Sequence, residues 1–419
     1  MSGSQYPPTV FVLGTRQHVG KTVTSMGVIA KLLSEQHGYD VADIGYIKPV
    51  GQQAVTVTDE TGQDIRVDKD AVLVTSLLGI SVPRYKVMSP VLWEGGVTAD
   101  YIDDQTSEQP AMGPDHLRQR IRNAYKEVAE GKRIVIIEGT GQPGVGSIGG
   151  ISNADVINML REMGVPLYVL LVTKAGIGSA IDETFPYLIA MDHMGTRING
   201  MIVNRVFPFK LDKVKHYLGT YYGELFPRQY GHLLTQPIPP IAGYVPLVPQ
   251  LRMFSMRLIA QSFASEKHGT VEILSPSNFD DVSTRLVRDV KAINLRFGYE
   301  RFVEPGDAII VGVNANDIVL SALLLHERLL RNYGEGLSGL ILSSNEIGGL
   351  SKQVLHLIEE EGIPTLTLAY DSAEIIQKIG RWTVKIQPYD VEKRELITDT
   401  YCQALDLSGV LDAEHAYAN

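Results

Sequence analysis

The chain has 419 residues, of which 44% are hydrophobic and 21% charged, as in a globular protein with more than one domain. Its formal net charge of −10 excludes a general nucleic-acid binder, which needs a basic face, but leaves room for a local phosphate site. The single cysteine, Cys402, excludes intrachain disulfides and fits a reducing cytoplasm. We expect no signal peptide and no membrane span, because no apolar run reaches roughly 18 residues.

Short apolar, β-rich runs alternate with helix-like segments through the first part of the chain. The predicted strands are 9–14, 41–50, 133–139, 166–173 and 198–206. The predicted helices begin at 21, 69, 114 and 154. This alternation predicts an α/β fold, in which a parallel sheet is covered by helices on both faces. Apart from the helix at 69–79, the irregular and polar stretch 51–113 yields no predicted element.

A second series of elements follows residue 253. It comprises a helix from 255, a strand at 307–313, a helix to 334, and strands at 337–344, 364–370 and 383–388. The change predicts a second, smaller α/β domain, with a boundary near 255–265. We therefore expect domains at 1–255 and 265–410, and a fragment ending near residue 262 should fold alone.

The stretch "GTRQHVGKT" directly follows the first buried strand and opens a helix with Gly20-Lys21-Thr22. Successive backbone N–H groups and the helix N-terminus can bind phosphate oxygens, Lys21 can neutralise their charge, and Thr22 can coordinate Mg²⁺. Five residues separate Gly14 from Gly20, where four are usual. Either Thr15 takes the place of the first glycine or the loop belongs to a variant class. The alternative is a Gly-Lys-Thr that merely caps a helix.

This loop resembles that of dethiobiotin synthetase and its relatives, and four further stretches resemble the family in the same order. They are "YIKPVG", "VIIEGTG", "MIVNRV" and "GYVPLVP". The resemblance implies binding of ATP and Mg²⁺, with Lys48 at the substrate and γ-phosphate and Glu138 at the metal. It also implies that Asn204 reads adenine, and that the closing segment, with Pro246 and Val248, lies near the base.

The residues themselves support several of these roles. Glu138 emerges at the carboxyl end of a buried strand, where open α/β sheets bind ligands, and is either a Mg²⁺ ligand or a turn cap. Lys48 also ends a strand and either stabilises a transferred phosphoryl group or lies on the surface. Asp68 and Asp70 are each a candidate second carboxylate. Asp70 matches the family better, and capping of the following helix is the alternative. Asn204 is equally compatible with a turn.

The predicted site is therefore as follows. The predicted catalytic residues are Lys21, Lys48 and Glu138, and the predicted metal-binding residues are Thr22, Asp70 and Glu138. The predicted nucleotide-binding residues are Thr15, Gln17, His18, Val19, Gly20, Lys21, Thr22, Val23, Asn204, Pro246 and Val248.

Two differences from dethiobiotin synthetase lie where its substrate would bind. Arg16 and His18 stand where that family has an acidic or polar pair. Arg16 also falls where partition-type ATPases carry a lysine that reaches across a dimer, so it either acts in trans or faces solvent. After Glu138 the chain is rich in glycine, and this segment either approaches an anion or forms a mobile turn.

Residues 265–410 resemble the DRTGG domain, which follows a dethiobiotin-synthetase-like domain in some phosphotransacetylases. "GVNANDI" replaces the residues that give this domain its name, so its ligand cannot be inferred from the resemblance. The loops "NANDI" and "SSNEIGG" follow predicted strands. Binding of a small ligand and dimerisation are the two open roles.

Three functions are compatible with these observations. The first is an ATP- and Mg²⁺-dependent enzyme that hydrolyses ATP or activates a small carboxylate or carbamate. The second is a nucleotide-responsive regulator, and the third is a partition-like ATPase that binds a partner protein. We expect a homodimer or higher homo-oligomer that binds a small-molecule substrate or effector, with no nucleic-acid or membrane partner.

Overall fold

The computed structural model describes residues 5–34, 37–59, 61–80, 85–107, 111–266, 270–274, 279–343 and 349–411. The chain divides into two compact units. The first unit comprises Met1–Leu247 with Arg394–Asn419, and the second unit comprises Val248–Lys393. The second unit is therefore an insertion in the sequence of the first. This division differs from the predicted domains, because the C-terminal residues return to the first unit.

The strands of the first unit before residue 100 are β1 (Thr9–Gly14), β2 (Ile44–Ile47), β3 (Val50–Gly51), β4 (Ala54–Thr58), β5 (Asp64–Asp68) and β6 (Val91–Leu92). Those after it are β7 (Ile134–Glu138), β8 (Leu167–Lys174), β9 (Gly200–Val206) and β10 (Ile241–Pro246). Six of these strands form one sheet in the order β10-β9-β8-β1-β7-β2.

All neighbouring pairs in this six-stranded sheet are parallel. Strand β1 lies inside the sheet, between β7 and β8, and its residues are buried on both faces. Helices cover both faces, which explains why the strands are apolar without alternation and confirms the predicted fold class. Because the strands run in one direction, their carboxyl ends share one edge, where ligands bind in such sheets.

The helices of the first unit before the insertion are α1 (Lys21–Leu32), α2 (Lys69–Leu78), α3 (Tyr85–Met88), α4 (Val97–Gln105), α5 (Pro114–Ala129), α6 (Asn153–Glu162), α7 (Ile177–His193), α8 (Leu211–Thr220) and α9 (Phe226–Tyr230). Helix α5 begins with Pro114, whose missing N–H costs nothing in the first turn. Helix α6 begins with a reciprocal capping pair between Ser152 and Asp155.

Strands β4 and β5 form an antiparallel hairpin that the sequence did not predict. Most residues of β4 are exposed or half-buried, so the hairpin lacks the apolar pattern from which strands are predicted. Its turn is held by Asp59, whose side chain accepts hydrogen bonds from the N–H groups of Thr61 and Gln63. The described part of the stretch 51–113 therefore contains more regular structure than its composition indicated.

The second unit contains the strands β11 (Phe254–Ser255), β12 (Val271–Ile273), β13 (Leu286–Val287), β14 (Val290–Ala292), β15 (Ala308–Gly312), β16 (Gly339–Ser343) and β17 (Thr365–Leu368). Its helices are α10 (Met256–Ala264), α11 (Phe279–Val282), α12 (Asn316–Tyr333), α13 (Lys352–Glu361) and α14 (Ser372–Arg381). Five strands form a sheet in the order β12-β17-β16-β15-β14, in which β12 alone runs antiparallel to its neighbour.

This second sheet is also buried on both faces. Ile309 and Val311 belong to one core cluster and Ala308 and Ile310 to another, as alternation along a strand requires. The predicted strand at 383–388 is wrong, because these residues join no ladder and the sheet edges are β12 and β14. The loop "SSNEIGG" lies largely outside the described residues.

The last helices are α15 (Val391–Ala404) and α16 (Ser408–Leu411). From Arg394 onward these residues belong to the first unit. The segment after α15 pairs with the outer edge of β10, through a bridge between Leu405 and Gly243 and a hydrogen bond from the N–H of Asp406 to the Ala242 carbonyl, 2.8 Å. Among the described helices, none is both long and apolar enough to cross a membrane.

Candidate functional site

The loop of residues 15–20 follows β1 and folds back close to the end of that strand. Glycine is therefore needed at position 14, just before the loop, and at position 20, its last residue. A Cβ on Gly14 would lie 2.7 Å from Val19 Cγ2 and 2.9 Å from the Lys21 side chain. Gly20 has a φ of 100°, in the left-handed region that favours glycine. The sterically required first glycine is thus Gly14 rather than Thr15, and the loop is one residue longer than the usual phosphate-binding loop.

Lys21 and Thr22 open α1 next to the loop. The Lys21 ammonium is 3.4 Å from the carbonyl oxygen of Arg16, to which it donates, and the side chain is largely buried. Burial, with a smaller contribution from the nearby Lys48, lowers the pKa of Lys21 despite the neighbouring Glu138. The cation is thus held close to the loop, where it lacks full hydration and can gain from an anionic ligand.

Lys48 is buried among three carboxylates that come from three different elements. Its ammonium is 2.9 Å from Asp68 Oδ1 and 3.7 Å from Glu138 Oε1, and it also forms an ion pair with Asp70. Burial lowers the pKa of Lys48, but the three carboxylates outweigh it and raise the pKa above its ordinary value. Lys48 is therefore a permanent buried cation, which excludes the surface alternative.

Glu138, at the carboxyl end of β7, receives two hydroxyl donors. Thr22 Oγ1 donates to its Oε1 at 2.9 Å, and Tyr46 Oη donates to its Oε2 at 2.8 Å. Burial raises the pKa of Glu138, although Lys48 acts against this shift. The Glu138 carboxylate is therefore fixed between Thr22, at the start of α1, and Lys48. The metal-binding role that the family resemblance implies would require such a position.

The two aspartates at the start of α2 have different roles. Asp68 caps the helix by accepting from the N–H of Asp70 at 2.9 Å, and its other oxygen accepts from the N–H of Gln52 at 2.9 Å. Asp70 lies in the first turn and extends its side chain to Lys48. The capping alternative thus applies to Asp68, while Asp70 remains the predicted metal-binding carboxylate.

Asn204, near the end of β9, holds the loop in place. Its Nδ2 donates to the Val19 carbonyl at 2.9 Å, and a Cβ on Gly20 would lie 2.2 Å from that nitrogen. Its Oδ1 accepts from the N–H of Arg205 at 2.8 Å and from Tyr401 Oη at 3.2 Å. The side chain is therefore a tie between β9 and the loop, and its predicted reading of adenine stays a prediction.

The loop residues Thr15 and Arg16 share one acidic partner on α7. Thr15 Oγ1 donates to Glu183 Oε2 at 2.8 Å, and Arg16 Nε is 3.2 Å from Glu183 Oε1. The Arg16 side chain is 47% exposed, so the ion pair is accessible to solvent. Any action of Arg16 across a dimer would require this pair to open.

The remaining predicted nucleotide-binding residues lie in different surroundings. His18 is exposed and has a φ of 60°, a left-handed conformation rare outside glycine. Gln17 approaches Gly141, where a Cβ would lie 2.7 Å from Gln17 Cγ. Val23 is half-buried in α1, and Pro246 ends β10 at the same sheet edge. Val248 is the first residue of the second unit, and its predicted place near the base stays a prediction.

The glycine-rich segment after Glu138 is ordered. Asn153, at the start of α6, accepts a hydrogen bond from the N–H of Thr140 at 3.0 Å. Gly146 and Gly150 adopt left-handed conformations around a short 3₁₀ turn. A Cβ on Gly139 would lie 2.7 Å from Asn153 Oδ1, so this close contact requires glycine there. These contacts hold the described segment against α6, and its predicted approach to an anion stays a prediction.

The residues at this edge fit a nucleoside triphosphate with Mg²⁺. Within the described residues, no three His, Cys, Asp or Glu side chains are arranged to hold a metal ion by themselves. Mg²⁺ in nucleotide sites, however, takes most of its ligands from phosphates and waters. Thr22 and Glu138, 2.9 Å apart, are the hydroxyl and carboxylate that such a site uses. Lys21 and Lys48 supply the cations that phosphates need.

Three partners in the site were not predicted from the sequence. Tyr46 is in β2, two residues before Lys48, which directly follows the strand, so the period of two along an extended chain was an available signal. Glu183 lies in the middle of α7, where nothing distinguishes it from a surface glutamate. Tyr401 is 197 residues away from Asn204 in the sequence, and no motif surrounds it.

Comparison with known families identifies both parts of the chain. The AAA_26 family, described as an AAA domain, matches residues 8–253, and the DRTGG domain matches residues 290–382. The first match covers over half of the chain. The chain therefore belongs to the AAA_26 family, the dethiobiotin-synthetase-like P-loop proteins, and a DRTGG domain follows. Both predicted resemblances are confirmed.

Solved structures show weaker similarity. The signal recognition particle receptor FtsY from Elizabethkingia anophelis in complex with GDP is 13% identical, with a TM-score of 0.32, and the match covers 58% of each chain. Chloroplast FtsY from Physcomitrella patens is 12% identical, with a TM-score of 0.32, over 58% of this chain and 60% of its own. The chain thus spans under two thirds of these proteins, and these scores carry no functional argument.

Proposed function

We propose that the first unit binds ATP with Mg²⁺ and transfers the γ-phosphoryl group to water or to a small carboxylate or carbamate. The observation that supports this most directly is the buried Lys48, which lies between Asp68, Asp70 and Glu138 beside the start of α1. A cation is rarely buried in this way for stability alone, since hydrophobic residues of similar volume stabilise as well.

Each residue has a role that its position supports. The N–H groups of the loop and of the first turn of α1 bind phosphate oxygens, and Lys21 neutralises their charge. Thr22, Glu138 and Asp70 are the residues that would hold Mg²⁺, which neutralises charge on the phosphates when it is bound. Lys48 stabilises the charge that develops on the transferred group.

Release of inorganic phosphate tests this proposal. We expect the full chain to release phosphate from Mg-ATP. If the enzyme is a ligase, the rate should rise when a small carboxylate acceptor, or an amine with bicarbonate, is added.

Lys21→Ala should abolish ATP binding in calorimetry, because it removes the cation of the loop. Lys132→Ala is the matched control, since this exposed lysine donates to the Ala42 carbonyl, far from the loop in sequence. Unchanged affinity in Lys21→Ala would exclude the phosphate-loop assignment.

A second candidate function is nucleotide-responsive regulation. The observation that favours it is the insertion of the second unit, which the chain enters after β10 and leaves within α15. Changes at the nucleotide site could then be coupled to the second unit through both connections. Under this proposal ATP alters hydrogen exchange in residues 311–320 of the full chain. Exchange that is indifferent to ATP, together with normal turnover, would leave the enzyme as the better proposal.

A further inference from the structure

Helix α15 places Tyr401 against Asn204, the residue that holds the loop of residues 15–20. Tyr401 is fully buried, and its hydroxyl donates to Asn204 Oδ1 at 3.2 Å. The hydroxyl is also 3.5 Å from Thr24 Oγ1 in α1. The ring lies against Gly27, where a Cβ would come within 2.3 Å of ring carbons. Glycine at position 27 is therefore what allows the tyrosine to approach this closely.

Several contacts hold the end of α15 in this position. The Lys31 ammonium donates to the carbonyls of Cys402 at 2.8 Å and Leu405 at 2.5 Å. A cation at these carbonyls is favourable, because the last carbonyl groups of a helix have no partner within it. Residues 405 and 406 pair with β10 as described above. Tyr401 is thus set between α1 and the sheet by contacts on both sides.

The hydrogen bonds define the orientation of the Asn204 amide. The Val19 carbonyl can only accept, so Asn204 Nδ2 must face it. Asn204 Oδ1 then faces two donors, the Arg205 N–H and the Tyr401 hydroxyl. The reversed amide would place oxygen against the Val19 carbonyl and a donor against the Arg205 N–H. These two backbone groups therefore fix the amide orientation, and the Tyr401 hydroxyl, which can donate or accept, donates to Oδ1 and restrains the side chain in that orientation.

We propose that Tyr401 is a positioning residue of the nucleotide site, which acts through Asn204 on the conformation of the phosphate-binding loop. The inference rests on the proposed nucleotide binding. It makes the residues that follow the inserted unit a part of the site, although no nucleotide-binding motif of the sequence lies there. Since α15 connects the second unit to Tyr401, a shift of this helix would change nucleotide affinity.

A double-mutant cycle tests this role in the full chain. Its readout is the dissociation constant of a non-hydrolysable Mg-ATP analogue, measured by calorimetry. Tyr401→Phe removes the hydroxyl alone and should weaken binding about three- to tenfold, as for one lost hydrogen bond. Asn204→Ala should weaken binding at least as much. The double variant should resemble Asn204→Ala within about twofold, because the hydroxyl acts through the amide.

Tyr125→Phe is the matched control. Tyr125 is equally buried, and its hydroxyl is 2.8 Å from Thr9 Oγ1 at the opposite end of β1 from the loop. This variant should lose a similar amount of thermal stability but bind the analogue as the wild type does. A purely structural Tyr401 would give the same result as Tyr125, or effects that add to those of Asn204→Ala, and either outcome overturns the inference. A wild-type chain that binds neither Mg-ATP nor Mg-GTP overturns the proposed function itself.

Discussion

At the scale of single residues, the site depends on charges that are buried together. Lys48 has three carboxylates around it, and Glu138 has two hydroxyl donors besides the lysine. The three carboxylates share one lysine cation, so removal of Lys48 would leave buried negative charge, which is strongly destabilising. An excess of carboxylate oxygens is also what a divalent cation accompanying a phosphate ligand would require.

Lys48→Met tests two effects of this buried cluster, one on turnover and one on the free energy of unfolding. Turnover should fall by about 100-fold with little change in ATP affinity, if Lys48 stabilises charge that develops only during transfer. The variant should also lose about 3 kcal/mol of unfolding free energy, because three carboxylates remain without their cation. Steady-state phosphate release and denaturant unfolding measure the two effects.

Lys48→Met combined with Asp70→Asn is the control for stability. Removing one negative charge should restore part of the unfolding free energy, while turnover should remain low. Wild-type turnover in either variant would show that Lys48 has no part in phosphoryl transfer.

At the scale of elements, α12 shows how a buried histidine joins a helix to the strand that follows. His326 is nearly fully buried, and its Nδ1 accepts a hydrogen bond from the N–H of Leu337 at 3.0 Å, just before β16. Burial, together with the nearby positive charge of Arg285, lowers the pKa of His326 below its ordinary value. The folded second unit therefore requires the neutral imidazole.

This requirement predicts a pH dependence of stability. The unfolded chain binds a proton at the ordinary pKa of about 6.5, whereas the folded chain does so only at lower pH. The contribution of His326 to stability is thus complete above about pH 6.5 and is lost as the pH falls toward the lowered pKa. His326→Gln, which keeps an acceptor for Leu337, should make the midpoint of thermal unfolding less dependent on pH below 6.5.

His356→Gln serves as the comparison for this measurement. His356 is exposed on α13 and lies 3.3 Å from Glu360, one helical turn away. Its replacement should leave the pH dependence of thermal unfolding close to that of the wild type. Equal curves for wild type and His326→Gln would show that His326 does not link protons to folding.

At the scale of the whole molecule, the first unit is discontinuous in sequence. Residues before the insertion provide the sheet and the predicted nucleotide-site motifs, apart from the last two residues of "GYVPLVP", and the residues after it provide most of α15 and the segment that covers the edge of β10. An uncovered strand edge exposes unpaired backbone groups and favours aggregation. The two sequence segments therefore complete one folding unit.

Two shortened chains test this organisation. The sequence alone predicts that a fragment ending near residue 262 folds by itself, but this fragment lacks Tyr401 and the cover of β10, so we now expect it to aggregate or to bind Mg-ATP more weakly than the full chain. A chain in which about ten glycine and serine residues join Leu247 to Arg394 retains both and should bind Mg-ATP as the full chain does. Light scattering and calorimetry compare them. Equal behaviour of the two would show that α15 contributes nothing to the first unit.

From the amino-acid sequence alone, the class of fold and the residues of the candidate site could be predicted. The apolar runs at 9–14, 134–138 and 167–174 are buried strands because continuous hydrophobic segments of that length need cover on both faces. Parallel strands bring their carboxyl ends together, so Lys48 and Glu138 could be assigned to one edge from their positions alone. Gly20 was expected from the close backbone approach that phosphates require, whereas the choice between Gly14 and Thr15 needed the structure.

Contacts between distant parts of the chain could not be predicted from the sequence and are seen only in the folded structure. The partners of Lys48, the tie from Asn204 to Val19 and the approach of Tyr401 join residues that no local pattern relates. The wrong prediction of a strand at 383–388 has the same cause, because a strand forms only where the edge of a neighbouring strand accepts its hydrogen bonds. Local patterns report burial and backbone preference, whereas these pairings depend on which surfaces meet after the chain has folded.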